Sequence, residues 1–138
     1  MYKLDKNIKA TKIKTEAEAS KQIKNSLSNS NYFFKATSNI ITTDTPSIAY
    51  ILGFYAMEHK AKAFIAKKGY KTKLHKTVID SLIYLGHKDL AQMLEKAHIE
   101  RLNHYRMNLD EGSYKQVKEF FDAIIEPFIK KVDKLLEK

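Results

Sequence analysis

The C-terminal segment of this chain carries an apolar pattern that fits one face of a long α-helix. Between Ser113 and Leu136 the apolar residues recur at intervals of three and four, which is helical spacing. They are Val117, Phe120, Phe121, Ile124, Ile125, Phe128, Ile129, Val132, Leu135 and Leu136. Pro127 falls inside the pattern without shifting its phase, so we predict one kinked helix rather than two.

Four further helices are predicted upstream of this segment. They run from about Thr15 to Asn29, from Pro46 to Gly69, from about Leu74 to Leu85, and from about His87 to Asn108. The second of these helices has a cap and a proline at its first turn, and Gly69 ends it. The Ser/Thr/Asn-rich stretch from Ser30 to Thr45 is predicted to be a connection. Because Tyr32, Phe33 and Phe34 lie within it, part of this connection should pack against the helices.

These segments predict an all-α protein, an antiparallel bundle of four to five helices. No strand is predicted, since 4 glycines and 2 prolines are too few for a turn-rich β fold. At 138 residues the chain has the length of a single domain, and residues 1–14 are predicted to form a loose N-terminal segment. The wide stripe of the last helix favours a homodimer formed through helical faces.

The composition also indicates the cellular compartment of the protein and whether it associates with a membrane. Cysteine is absent, which excludes disulfides and thiolate metal sites and fits a reducing, cytoplasmic location. No apolar run approaches the roughly 18 residues of a membrane span. The first 14 residues lack the apolar block of a secretory signal, so we expect a cytoplasmic protein without a membrane partner.

The net charge of +9 is unevenly distributed along the chain. Between residues 46 and 76 seven lysines accompany a single acid, Glu58. Such a field attracts polyanions, and its effect weakens with salt. The candidate nucleic-acid contacts are Lys60, Lys62, Lys67, Lys68, Lys71, Lys73, His75 and Arg106. The alternative is that these lysines serve solubility or heat adaptation and bind nothing.

Both arginines of the chain lie in one stretch of six residues, Arg101 to Arg106. Arg101 offers a planar fork of donors for phosphate, His104 an acid or base near neutral pH, and Tyr105 a second contact one turn from Arg101. These three are the candidate catalytic residues, for phosphodiester cleavage through a ribose 2′-hydroxyl or for nucleotide binding alone. The alternative is that Arg101 pairs with Glu95, Glu100 or another acid and that Tyr105 is core.

Other catalytic and metal-binding patterns are absent from the sequence. No phosphate loop of the Gly-rich type and no nucleophile elbow is present. Glu95 and His98 have the three-residue spacing of a carboxylate di-metal bundle, but that design needs a second such pair and further inward glutamates. We therefore expect no metal and no cofactor.

Two stretches of the chain resemble the HEPN superfamily, small all-helical prokaryotic domains associated with nucleotides and RNA. Residues 49–65, followed by Gly69 and His75, are similar to the second helix of the family and the turn after it. The run from Arg101 to Tyr105, followed after a linker by Phe120-Phe121-Asp122-Ala123, is similar to the Arg-x-x-Asp-Tyr pattern of some branches. The lysine-rich, archaeal-type branches are the most similar.

The resemblance covers about residues 15–136 and implies a helical bundle that dimerises, with any active cleft between subunits. Members with an arginine, four to six residues and a histidine are often metal-independent ribonucleases, and several are toxins neutralised by a nucleotidyltransferase partner. In this chain only two residues separate Arg101 from His104, and His104 replaces the aspartate of the Arg-x-x-Asp-Tyr pattern.

Two hypotheses about function follow from these patterns. The first is an HEPN-like, homodimeric RNA- or nucleotide-binding protein, with an endoribonuclease or toxin-type activity at Arg101, His104 and Tyr105. The placement of the lysines favours it. The second is a non-catalytic bundle for dimerisation or protein interaction, and the altered spacing of the arginine and histidine favours that one.

Overall fold

The computed structural model describes residues 8–106 and 114–138, with residues 104–106 described through their backbone alone. Six α-helices follow one another along these ranges: α1 Glu16–Ile40, α2 Ala49–Lys67, α3 His75–Tyr84, α4 Lys88–Arg106, α5 Tyr114–Phe120 and α6 Glu126–Glu137. A short 3-10 helix, Pro46–Ile48, leads into α2, and a π-helical turn, Phe121–Ile125, joins α5 to α6. The predicted all-α bundle is confirmed.

α1 is longer than predicted, because the stretch from Ser30 to Ile40 is helical rather than a connection. Thr15 caps the start of the helix, its hydroxyl accepting a hydrogen bond from the Glu18 amide at 3.1 Å. Ser and Thr disfavour helices because they compete for backbone groups. In α1 the Thr37 hydroxyl donates a hydrogen bond to the Phe33 carbonyl of the preceding turn at 2.6 Å, so its bond to the backbone stays within the helix.

α1 packs along α2 through small side chains. Ser30 is fully buried and donates a hydrogen bond to the Ala56 carbonyl of α2 at 2.7 Å. Ser26 and Thr37 are the other buried residues of α1, so none of its fully buried residues has a large apolar side chain. The α2 side presents Gly53 and Ala56, and the two backbones approach closely as a result.

The chain stays helical through Pro127. The π-helical turn just before it supplies the reason, since its hydrogen bonds reach back five residues instead of four. Glu126 donates its amide hydrogen to the Phe121 carbonyl in this manner. Pro127 has no amide hydrogen to give, and it takes a place in the first turn of α6, where none is needed.

A two-stranded sheet ties the N-terminal segment to the turn after α2, which the sequence reading did not foresee. Thr11 pairs with Lys71 and Lys12 with Tyr70, in antiparallel register. The Ile13 amide donates to the Gly69 carbonyl at 2.8 Å, and the Ile13 side chain is buried.

The core lies where α2, α4 and α6 meet. Its largest fully buried side chains include Phe54, Phe64 and Met57 of α2 and Phe128 of α6. Gly69 and Gly86 have positive φ angles of 101° and 90° just after α2 and α3, as expected of helix-ending glycines. No helix in the described ranges is long and apolar enough to cross a membrane.

A Gly53→Ala substitution should destabilise the fold although alanine is the better helix former. The new Cβ would overlap Ile125 Cδ1 and lie 3.2 Å from Ile125 Cγ1, and Ile125 is fully buried. We expect the free energy of unfolding to fall by about 1–3 kcal/mol, measured by urea denaturation. In an Ile125→Val background, which lacks Cδ1, the cost of Gly53→Ala should be smaller; an equal cost would contradict the proposed clash.

Candidate functional site

Helices α2, α3 and α4 bring seven polar side chains together, and we call this group the polar cluster. Its members are Tyr55, Glu58 and Lys62 of α2, His75 of α3, and Glu95, His98 and Arg101 of α4. The three residues of α4 recur every third position, which places them along one side of the helix. His75 begins α3 directly after the turn that follows α2, so it faces both neighbouring helices.

His75 connects α2 to α4 through two carboxylates. Its Nδ1 lies 2.9 Å from Glu58 Oε2 and its Nε2 lies 3.3 Å from Glu95 Oε2. Burial lowers the pKa of His75, but the hydrogen bond and charge of Glu58, and then those of Glu95, outweigh burial and raise the pKa above its usual value. With both ring nitrogens donating, the imidazolium form suits this position.

The Glu58 carboxylate is the acidic partner within α2. Burial raises the pKa of Glu58, yet His75 and Lys62 together overcome burial and leave that pKa below its usual value. Lys62 Nζ lies 3.5 Å from Glu58 Oε1, one helical turn along α2. Glu58 is therefore a charged group held between two cations.

His98 stacks on His75. The two ring centroids are 3.9 Å apart with an interplanar angle of 20°. Burial lowers the pKa of His98, and the neighbouring positive charge of His75 lowers it further. His98 is thus the neutral member of the pair, and its Nδ1 is buried without a hydrogen-bond partner among the described residues.

Arg101 is held by aromatic rings rather than by an acid. Its guanidinium lies 5.1 Å from the ring centroids of both Phe54 and Tyr55, and one of its nitrogens donates to the Tyr55 hydroxyl at 3.2 Å. The Nε of Arg101 is buried and has no hydrogen-bond partner within residues 8–106 and 114–138. Glu95, an acid considered for Arg101, instead contacts His75.

The other predicted catalytic side chains cannot be placed. The backbone of α4 continues through Arg106, but the side chains of His104, Tyr105 and Arg106 lie outside the described residues. Whether they accompany Arg101 in one site stays a prediction.

The predicted lysine surface divides into two groups, and the α2 group is occupied internally. Lys60 is only 5% exposed, and its ammonium lies 2.7 Å from Asp133 of α6. Lys62 is engaged by Glu58. Lys60 therefore does not lie on a surface that a polyanion can reach, because an ion pair holds it between α2 and α6.

The second group lies at the end of α2 and in the turn after it. Lys67 donates to the Leu136 carbonyl, and Lys68 lies 5.5 Å from the Phe64 ring centroid. Lys71 pairs with Glu18 at 2.7 Å, whereas Lys73 is exposed. Exposed charge near this turn remains available to a partner.

Sequence reasoning missed Tyr55, Glu58 and His98 as members of the site. The three-residue spacing of Glu95 and His98, continued by Arg101, was a usable signal, but the Glu95–His98 pair was interpreted only as a possible metal motif. Among the described residues, no three His, Cys, Asp or Glu side chains are arranged to hold a metal ion.

Comparison with known protein families identifies a matching domain. The sequence profile of the HEPN domain matches residues 23–138. No curated protein and no solved structure matches the chain.

The stacked histidines should titrate as a coupled pair. A His75→Gln substitution removes the positive charge beside His98, so the pKa of His98 should rise toward its usual value, with burial and the charge of Arg101 still holding it down. Histidine ring signals followed by NMR across a pH series would measure the change. An unaltered His98 titration in the variant would show that the two rings do not interact.

The His75 contacts should make stability depend on pH. Since the folded-state pKa of His75 is raised above 6.5, its stabilisation is complete below that pH and is lost as the pH rises through the folded-state pKa. As the pH rises from about 6.5 through the folded-state pKa, the wild type should lose free energy of unfolding relative to His75→Gln, measured by urea denaturation.

His59→Gln provides a control of opposite sign. Burial, and then the charge of Lys62, lower the pKa of His59. The wild type should therefore gain stability relative to this variant as the pH rises through 6.5. The same trend in both variants would refute the assignment of His75 as the protonated partner.

Proposed function

This chain belongs to the HEPN domain family, and from that premise we propose that it binds RNA, as a homodimer, at a site centred on Arg101. The resemblance of the sequence to nucleotide- and RNA-associated domains supports RNA as the ligand. The geometry around Arg101 supports a binding site at this residue, and the exposed lysines support a polyanionic ligand.

The state of Arg101 is the observation that carries the proposal. Its guanidinium is half-buried between Phe54 and Tyr55 and has no carboxylate partner among the described residues. A partly desolvated cation without an anion is costly, so such a group is typical of sites that receive an anionic ligand. A phosphodiester supplies the missing charge and fits the planar fork of donors.

Tyr55 prepares the guanidinium for this role. Because its hydroxyl accepts from one nitrogen and its ring lies beside the charge, Arg101 is fixed in orientation before any ligand arrives. A side chain ordered in advance loses less conformational entropy on binding.

Cleavage of the bound RNA without metal belongs to the same proposal. The ribose 2′-oxygen would attack the adjacent phosphorus while the bond to the 5′-oxygen breaks, leaving a cyclic phosphate and a 5′-hydroxyl. His104 would take the proton of the 2′-hydroxyl or supply one to the leaving oxygen. Arg101 would stabilise the charge that develops on the phosphate. A nucleotidyltransferase partner that restrains this activity fits a toxin-type role.

Arg101→Ala should weaken binding of single-stranded RNA about tenfold or more, because a charge-assisted contact is lost. It should also reduce the salt dependence of binding by about one released ion. Fluorescence anisotropy over a salt series would measure both quantities. Arg101→Lys, which keeps the charge without the fork, should fall between Arg101→Ala and the wild type.

Lys130→Ala is the matched control for this experiment. Lys130 lies exposed on α6 and, among the described residues, pairs only with Glu126, one turn away. Its loss removes one positive charge that does not belong to the polar cluster and should leave the affinity nearly unchanged. Equal weakening by Lys130→Ala and Arg101→Ala would assign binding to net charge alone, and no binding by the wild type at low salt would refute the proposed function.

A metal-free incubation with labelled RNA separates cleavage from binding. Loss of full-length RNA with the wild type, but not with Arg101→Ala, is the result expected of a ribonuclease. Intact RNA in both reactions, alongside normal binding, would leave a binding protein without this activity.

A further inference from the structure

An exposed aromatic ring stands on α1, in the stretch that the sequence reading had assigned to a connection. Tyr32 is 72% exposed, the largest exposed fraction of any large hydrophobic side chain in the described ranges. Its ring makes a T-shaped contact with the ring of Phe33, at a centroid distance of 5.5 Å and an interplanar angle of 80°. Tyr32 nevertheless stays mostly exposed to water.

Tyr32 begins a row of rings that leads to the polar cluster. Phe33 lies 5.3 Å from Tyr55 and is nearly parallel to His59, with an interplanar angle of 5°. Tyr55 is the residue whose hydroxyl accepts a hydrogen bond from Arg101. We call Tyr32, Phe33, Tyr55 and His59 the aromatic row.

The segment of α1 that carries Tyr32 and Phe33 is positively charged. Between Glu18 and Asp44 the chain contains no acidic residue, while α1 exposes three lysines in that interval, Lys21, Lys24 and Lys35. The positions next to Tyr32 on the helix surface include Asn29 and Lys35, both exposed. The core of a subunit interface is usually depleted of charge, so this setting favours a polar, anionic ligand.

Unpaired nucleobases are the ligands that stack on exposed aromatic rings beside cations. Every base has a π-face, and proteins that bind single strands combine such rings with a positively charged path for the backbone. We propose that Tyr32, supported by Phe33, is a stacking platform for an unpaired base of the RNA whose phosphate is held by Arg101. This inference rests on the proposed function and specifies its substrate as single-stranded.

The chain contains no tryptophan, so a Tyr32→Trp variant would carry a single fluorescent reporter on the platform. Short oligoadenylate should quench its emission in a saturable manner, because a stacked base quenches the indole. An oligomer of the same length with abasic riboses should not. Tyr84→Trp, at a 47% exposed site on α3, is the matched control and should show no quenching.

Binding constants provide the second measurement. Tyr32→Ala should weaken the affinity for oligoadenylate about tenfold, whereas Tyr32→Phe, which keeps a π-face, should bind as the wild type does. With the abasic oligomer the three proteins should bind equally. Thermal unfolding of each variant would verify that the exposed substitution leaves the bundle folded.

The possible failures are distinguishable. If the wild type binds oligoadenylate and Tyr32→Ala binds it equally well, the platform is refuted and the proposed function stands. If Tyr32→Ala weakens binding of the abasic oligomer to the same degree and dissociates a dimer in sedimentation, the aromatic row is a subunit interface and the platform is again refuted. If the wild type binds no RNA, both proposals fall.

Discussion

The central position of α2 is the constraint on which the rest of the structure depends. α1, α3, α4 and α6 all pack against this one helix. A helix enclosed on several sides needs small residues where backbones approach, and Gly53 and Ala56 supply them. The same enclosure leaves little solvent for several polar side chains of α2. They are satisfied by partners on other helices, as Lys60 is by Asp133 and Glu58 by His75.

Because of these ion pairs, the positive charge at the surface does not follow the number of lysines along the sequence. Lys60 and Lys62 of α2 balance the carboxylates of Asp133 and Glu58, so they contribute little to the field that an approaching polyanion meets. The surplus positive charge lies elsewhere, on the acid-free length of α1 and around the exposed Lys73. Arg101 differs from these lysines because it is half-buried and, among the described side chains, faces rings and no acid.

Much of the fold could be predicted because its signals are local. Glycines with positive φ end α2 and α3, and the periodic stripe carries the last helix through Pro127. α1 was predicted too short, since the propensities of its Ser and Thr residues argue against a helix that packing against α2 supports. The polar cluster was harder to foresee. The spacing on α4 can be read from the sequence, but the stacking of His75 on His98 joins residues of two different helices.

The π-helical turn at Phe121–Ile125 has a consequence for how α6 is oriented. Such a turn accommodates one residue more than a regular helix would over the same path, and each residue advances the direction of the side chains by about 100°. The extra residue therefore sets the rotation of α6 about its own axis, bringing Phe128 to the core and Asp133 to Lys60. Straightening this turn by a one-residue deletion would leave the composition of α6 intact and yet rotate its apolar side away from α2. The π-helical turn therefore sets how far the second half of this helix is rotated about its axis relative to the first half.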